Sequence, residues 1–380
     1  MSKFDAESLE LHKQNRGKIE LGLKVPLGNR HDLSLAYSPG VAAVSRAVAE
    51  DPSLLYEYSP KGNMVLVVSE GSAVLGLGNI GAAGAYPVMA GKCALLKHFA
   101  GVDAFPLVLD TQDVDEVVNI VANICGGFGG VNLEDIKAPQ CFEIEAKLKE
   151  RLNIPVFHDD QHGTAIVSLA GLINSMKATG RDKSAKVVIN GAGAAGIAIA
   201  KLLLAYGFKN LIVLDSKGAL LEGRDNMNWA KEEMAKNSNP NNESGNLETI
   251  IKDKDVFIGV SKANLVSPEM VKSMNDDPII FAMANPDPEI PEADAIAAGA
   301  AIVATGRSDS SNQLNNVLVF PGLFRGILDV RAPQFTHEMY MAAAEALAGM
   351  VPNPTREKII PSPFEEGVAE VVAEAVRSVA

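Results

Sequence analysis

Cysteine is scarce in this chain: Cys93, Cys125 and Cys141 are the only three. No two stand at the short spacing of a zinc site, and three single cysteines give no disulfide framework, which fits a reducing compartment. No apolar run approaches the ~20 residues that span a bilayer, and the opening Met1-Ser2-Lys3-Phe4-Asp5 has no apolar stretch of the secretory kind. The expectation is a cytoplasmic protein with no membrane partner. Basic charge is the third shortage. Against 47 Asp and Glu, the 34 Lys and Arg leave a net charge of −13, so the broad positive field that binds nucleic acid is missing. An anionic substrate must then be attracted locally, by a metal ion and a few basic side chains.

What is present suffices for two domains, since 380 residues and a hydrophobic fraction of 47% support full cores. Residues 1–60 read as helix and loop, with Ala36-Tyr37-Ser38-Pro39-Gly40 turning into an apolar helix over 41–49. From Met64 onwards strands and helices alternate, with strands over 65–69, 73–75 and 104–109 and a helix around 88–99. That alternation predicts an α/β fold. We divide the chain into a substrate and metal domain, residues 1–160, and a Rossmann-type doubly wound parallel sheet, residues 161–380, closed by C-terminal helices. An apolar helix is expected over 165–176, and the polar loop 179–184 after it marks where the dinucleotide module itself begins.

The densest chemistry lies in Phe157-His158-Asp159-Asp160-Gln161-His162-Gly163-Thr164. It follows a short apolar run at 154–156, so Asp159 and Asp160 fall at the carboxyl end of a strand, where α/β proteins bind ligands. A second acidic pair, Glu134 and Asp135, ends another apolar run. Hard oxygen donors of this kind select Mg²⁺ or Mn²⁺, although either pair also suits the first turn of a helix. Lys92 is flanked by small and apolar residues, and burial would lower its pKa towards that of a general base. An equally simple reading lets it snorkel to the surface. Tyr37 beside Ser-Pro-Gly reads equally as a packing residue.

Two segments match G-x-G-x-x-G. Gly76-Leu77-Gly78-Asn79-Ile80-Gly81 has no acid-ending strand after it and reads as a glycine turn beside a pocket. Gly191-Ala192-Gly193-Ala194-Ala195-Gly196 has its full context: strand 186–190 before it, helix 197–206 after it, and strand 211–214 ending in Asp215. Its helix start offers N–H groups to a pyrophosphate, and Asp215 accepts from the ribose hydroxyls of NAD. Lys217 and Arg224 soften that preference, so NADP is possible. Strands over 255–260, 279–284 and 301–305 end at Ser261, Asn285 and Gly306, along one edge of the sheet. Residues 222–246 carry no assigned role.

With Tyr37-Ser38-Pro39-Gly40, Gly91-Lys92, Leu133-Glu134-Asp135, the run from His158 to Thr164, the Gly191 motif and Asn315-Asn316-Val317 in this order, the sequence resembles malic enzymes over almost its whole length. It looks like the short prokaryotic type. The resemblance implies metal-dependent oxidative decarboxylation of malate to pyruvate with reduction of NAD(P)⁺. Glu134, Asp135 and Asp160 would bind Mn²⁺ or Mg²⁺, with Asp159 orienting the catalytic groups. Lys92 would act as base at the C2 hydroxyl and Tyr37 as acid at C3. Asn285 and Asn316 would hold substrate near the nicotinamide of a cofactor bound by Gly191, Ala192, Gly193, Ala194, Gly196 and Asp215. A homodimer is also implied. One departure concerns the substrate carboxylate: the large eukaryotic enzymes place an arginine where this chain has Ala73. An oxaloacetate decarboxylase that no longer turns over nucleotide, and a non-catalytic NAD sensor, are the rival readings.

Overall fold

The computed structural model describes residues 4–74 and 76–380. Among the described residues, ten strands form two sheets. β1 (Met64–Ser69), β2 (Asp103–Val108), β3 (Gly130–Leu133) and β4 (Val156–His158) make the first, in the order β2-β1-β3-β4. All its pairings are parallel, so every connection is a crossover over a sheet face. The helix Gly81–Ala100 makes the first of these, from β1 to β2.

The second sheet holds β5 (Val187–Asn190), β6 (Leu211–Asp215), β7 (Gly218–Ala219), β8 (Val256–Gly259), β9 (Ile279–Ala282) and β10 (Ile302–Thr305), in the order β10-β9-β8-β5-β6-β7. Only the short β7 runs antiparallel. Strand order reverses between β5 and β8, which opens a crevice at their carboxyl ends. β5, β8, β9 and β10 are buried throughout, as expected of parallel strands covered on both faces.

Three expectations need correction. The stretch expected as a strand over 73–75 holds a turn closed by a bridge between Val74 and Gly78; Leu75 lies outside the described residues. The helix expected over 165–176 starts earlier, running Asp159–Thr179, so the acidic run occupies its first turns and the helix continues unbroken past residue 160. The C-terminal helices, expected to close the second domain, also pack under the first sheet. Phe324, in helix Phe320–Val330, meets Phe157 of β4 edge-on at 5.8 Å between ring centroids. One apolar core runs from Val65 through Phe157 and Leu169 to Leu347 and Val376.

Candidate active site

The parallel register of the first sheet brings the two acidic pairs together. β3 and β4 pair Leu133 with His158, so the residues that follow each strand, Glu134-Asp135 and Asp159-Asp160, leave the sheet side by side. The backbone N–H of Asp135, a residue with positive φ, donates to Asp160 Oδ2 at 2.8 Å. Glu134, Asp135 and Asp160 each offer one oxygen, and these oxygens lie within 4.8 Å of one another. Asp159 and Asp160 also occupy the first turn of their helix, so the cap reading and the metal reading are compatible.

Lys92 stands in mid-helix, in Gly81–Ala100, and reaches this cluster rather than solvent. Its Nζ donates to Asp159 Oδ2 and, at 2.9 Å, to Glu134 Oε1, and it lies 4.6 Å from the centre of the Phe320 ring. Burial disfavours its charge, but Asp159 and then Glu134 outweigh that and raise its pKa above the usual lysine range. The expected lowering is therefore reversed, because the two partners come from strand ends far along the chain. Glu134 moves upward too, first through burial, which with Asp159, Asp160 and Asp135 outweighs the lowering by Lys92. Four carboxylates face one ammonium here, an excess that a divalent cation would relieve. Gly163 is required one turn on: a Cβ there would stand 2.0 Å from Asp159 Oδ1.

Lys92, Glu134, Asp135 and Asp160 line a cleft of about 450 Å³ between the sheets, together with Thr164, Ser261, Asn285 and Asn316. Asn285 follows β9, and the neighbouring Asn315 is occupied by capping, its Oδ1 accepting from the Val317 N–H at 2.9 Å. Gly76 also borders the cleft, and a Cβ on it would meet the Asn285 carbonyl at 2.2 Å, as a glycine turn beside a pocket should. Among the described lining residues Lys92 is the only cation, and no arginine replaces the one missing at Ala73. Tyr37 is not among them. It lies 67% exposed at the end of helix Arg30–Ala36, so this chain does not bring Tyr37 to Lys92.

Across the cleft, Gly191 follows β5 with φ +129°, and a Cβ on Gly196 would lie 1.7 Å from the Gly191 carbonyl. Only glycine fits that approach. The helix Ala194–Tyr206 opens without a side-chain cap, leaving its first N–H groups for an anion. Asp215 ends β6 and is held on three sides: Oδ1 accepts from the Lys217 N–H at 2.9 Å, and Oδ2 from Arg224 at 2.5 Å and Lys231 at 2.7 Å. Burial raises its pKa, but Arg224 and Lys231 outweigh that and bring it down to about 2. Sequence reasoning missed Lys231, which lies in the segment given no role and has no motif to mark it. Thr164 and Ser261 carried a signal, as part of the acidic run and as a strand end.

Two family models match the chain. That for the malic enzyme N-terminal domain covers residues 16–149, and that for the malic enzyme NAD binding domain covers residues 161–380. A bifunctional malic/malolactic enzyme from Bacillus subtilis is 57% identical over 98% of this chain and 92% of its own length. An NAD-dependent malic enzyme from Geobacillus stearothermophilus is 53% identical over 95% of this chain and 76% of its own. The crystal structure of an NAD-dependent malic enzyme from Thermotoga maritima superposes with a TM-score of 0.95 at 49% identity, covering 97% of this chain and 98% of that one.

Proposed function

This chain belongs to the malic enzyme family, and we infer that the cleft between its sheets is where it oxidatively decarboxylates malate to pyruvate and CO₂ with reduction of a nicotinamide cofactor. The observation that carries the placement is the convergence of Glu134, Asp135 and Asp160 beside Lys92, facing the glycine turn of the dinucleotide module. The three carboxylates suit Mn²⁺ or Mg²⁺. When bound, such an ion would polarise the C2 oxygen and stabilise the enolate left by CO₂. Lys92 Nζ is the group that faces the substrate: once the carboxylates are drawn away from it to a bound cation, it gives up its ammonium proton to solvent, and as the neutral amine it accepts the C2 hydroxyl proton as hydride leaves for the nicotinamide. Its pairing with both Glu134 and Asp159 means that one of these carboxylates must first turn to another partner. Asp159, wholly buried, then keeps Nζ in place. Asn285 and Asn316 donate amide N–H groups to substrate oxygens. With no arginine among the described residues of the cleft wall, the carboxylate that leaves as CO₂ is held by neutral donors, which do not oppose loss of its charge.

The rest of the reading follows from the same groups. Residues 1–160 supply the metal ligands and Lys92, and residues 161–380 the nucleotide site together with Asn285 and Asn316, with the last helices bridging them. NAD is preferred because Asp215 accepts from the ribose hydroxyls, and NADP is accepted because Arg224 and Lys231 stand ready beside it. The working protein is a cytoplasmic homodimer. No described helix is long and apolar enough to cross a membrane. The first three helices bury none of their residues, and Leu21, Leu23, Leu35 and Tyr37 are each more than 60% exposed, an apolar surface suited to a second copy. Tyr37 of that copy delivers the proton to C3. Reduction of NAD⁺ by malate, dependent on Mn²⁺ and yielding pyruvate, tests the function. An oxaloacetate decarboxylase would release pyruvate from oxaloacetate without NADH from malate, and a nucleotide sensor would do neither.

A further inference from the structure

The acidic run contains three residues that this chemistry leaves without a task, His158, Gln161 and His162. All three join one buried network with Glu145, on the helix Gln140–Arg151. Glu145 is 5% exposed, and its carboxylate is filled. Oε1 accepts from His162 Nε2 and Lys149 Nζ, both at 2.8 Å, and Oε2 accepts from Gln161 Nε2 at 2.9 Å. A carboxylate only accepts, so Glu145 fixes which end of the Gln161 amide faces it. The same Gln161 nitrogen lies 2.9 Å from His158 Nδ1. Nδ1 must therefore accept the second amide hydrogen, and the imidazole proton is forced onto Nε2. Nε2 stands 3.3 Å from Asp160 Oδ2, an ion-pair distance with no hydrogen bond closed in this structure, while the Asp135 N–H donates to the same oxygen. The sequence spacing serves this order: His158 ends β4, while Gln161 lies one helical turn away on the same face.

We propose that Glu145 and Gln161 are positioning residues, which set the His158 tautomer so that an Nε2–H and not a lone pair faces Asp160 Oδ2, favouring the carboxylate orientation that binds the divalent cation. This rests on the carboxylate set above being the cation site. Partners of that kind, one shell behind a ligand, set its direction and basicity, and their loss weakens metal binding by about 10–100-fold. Two near-isosteric changes isolate the effect: Gln161→Met removes the amide hydrogens, and Glu145→Gln removes the group that orients them.

The experiment is titration of the whole, substrate-free protein with Mn²⁺, the free ion being counted by electron paramagnetic resonance, with NADH binding followed by fluorescence in the same samples. Gln161→Met is expected to raise the Mn²⁺ dissociation constant about 10–100-fold while leaving NADH binding unchanged, and Glu145→Gln to move it the same way. In a His158→Ala background, Gln161→Met should add nothing, since it acts through His158. Affinity within about twofold of wild type in both single variants overturns the proposal, as does a full additional loss in the His158→Ala background. Should Gln161→Met not fold, Glu145→Gln alone decides by the same limits. A wild-type protein that binds no Mn²⁺ instead overturns the assignment of the cation site beneath it.

Discussion

Removing the Asp160 carboxylate takes away one of three oxygens that lie within 4.8 Å of one another, and it also frees the Asp135 N–H that it accepts. Asp160→Ala is expected to abolish both malate-dependent NADH formation and decarboxylation of added oxaloacetate, because both need a stabilised enolate. Oxaloacetate decarboxylation at the wild-type rate with unchanged metal dependence would falsify the ligand assignment. At the nucleotide site, Asp215 has its pKa at about 2 through Arg224 and Lys231. A carboxyl depressed in the fold supports stability fully above its unfolded pKa of ~3.9 and loses that support only as pH falls through the folded value. Across an assay range of about pH 5–9 the group stays ionised, so its contribution to the NAD:NADP ratio of kcat/KM should not vary with pH. Asp215→Ala should narrow the ratio, chiefly by weakening NAD, whereas Lys231→Ala should widen it by weakening NADP. Steady-state rates with each cofactor at saturating malate and Mn²⁺ check both. A wild-type preference for NADP would remove Asp215 as the selecting residue.

The element that matters most is the junction of β4 with the helix Asp159–Thr179, because it aims both acids of the run. Phe157 anchors it. The ring is fully buried against Phe324, Phe335, Tyr340 and His162, with centroid distances between 5.2 and 6.0 Å. Phe157→Ala should cost about 3–5 kcal/mol of stability, from lost burial and the cavity left behind, read as a lower urea midpoint with unchanged slope. A loss below about 1 kcal/mol would mean that the junction is held by something other than this cluster. The sequence made this element half legible. Apolar runs closed by acids marked the ends of β3 and β4, and the Gly191 motif marked the turn after β5, because local patterning dictates strands and tight turns. It offered the helix start at Asp159 only as one of two readings of the acidic pair, since His, Asp and Gln interrupt apolar periodicity just where the helix carries its chemistry. Nor did it reveal that Lys92 is paired, or that Lys231 reaches Asp215. Those contacts are set by strand order and register, which no local window contains. Residues 73–75 misled for the opposite reason: their apolar side chains pattern as a strand, yet Gly76 and Gly78, both with positive φ, close the backbone into a turn.

At the scale of the molecule, the open question is where Tyr37 acts. The segment that carries it buries almost nothing. The groove beside it, about 780 Å³, runs from Ile19–Lys24 to Phe105 on the sheet's edge strand β2. An edge strand and a row of exposed leucines are surfaces that soluble proteins normally cover, and a two-fold dimer covers both copies with one contact. If the dimer places Tyr37 of one copy in the cleft of the other, Lys92→Ala and Tyr37→Phe are defects in different chains of the same site. Each variant alone should lose about 10²–10⁴-fold in rate, as positioned acids and bases do. Mixed, unfolded and refolded together, half of the dimers are hybrids, and each hybrid has one site with both native groups. The mixture should therefore regain about a quarter of wild-type activity. If both groups act within one chain, every site in the hybrid lacks one of them. Activity of the mixture no higher than that of the separate variants, with hybrid dimers confirmed by native mass spectrometry, would exclude the shared site and require helix Arg30–Ala36 to move within its own chain before Tyr37 could reach Lys92.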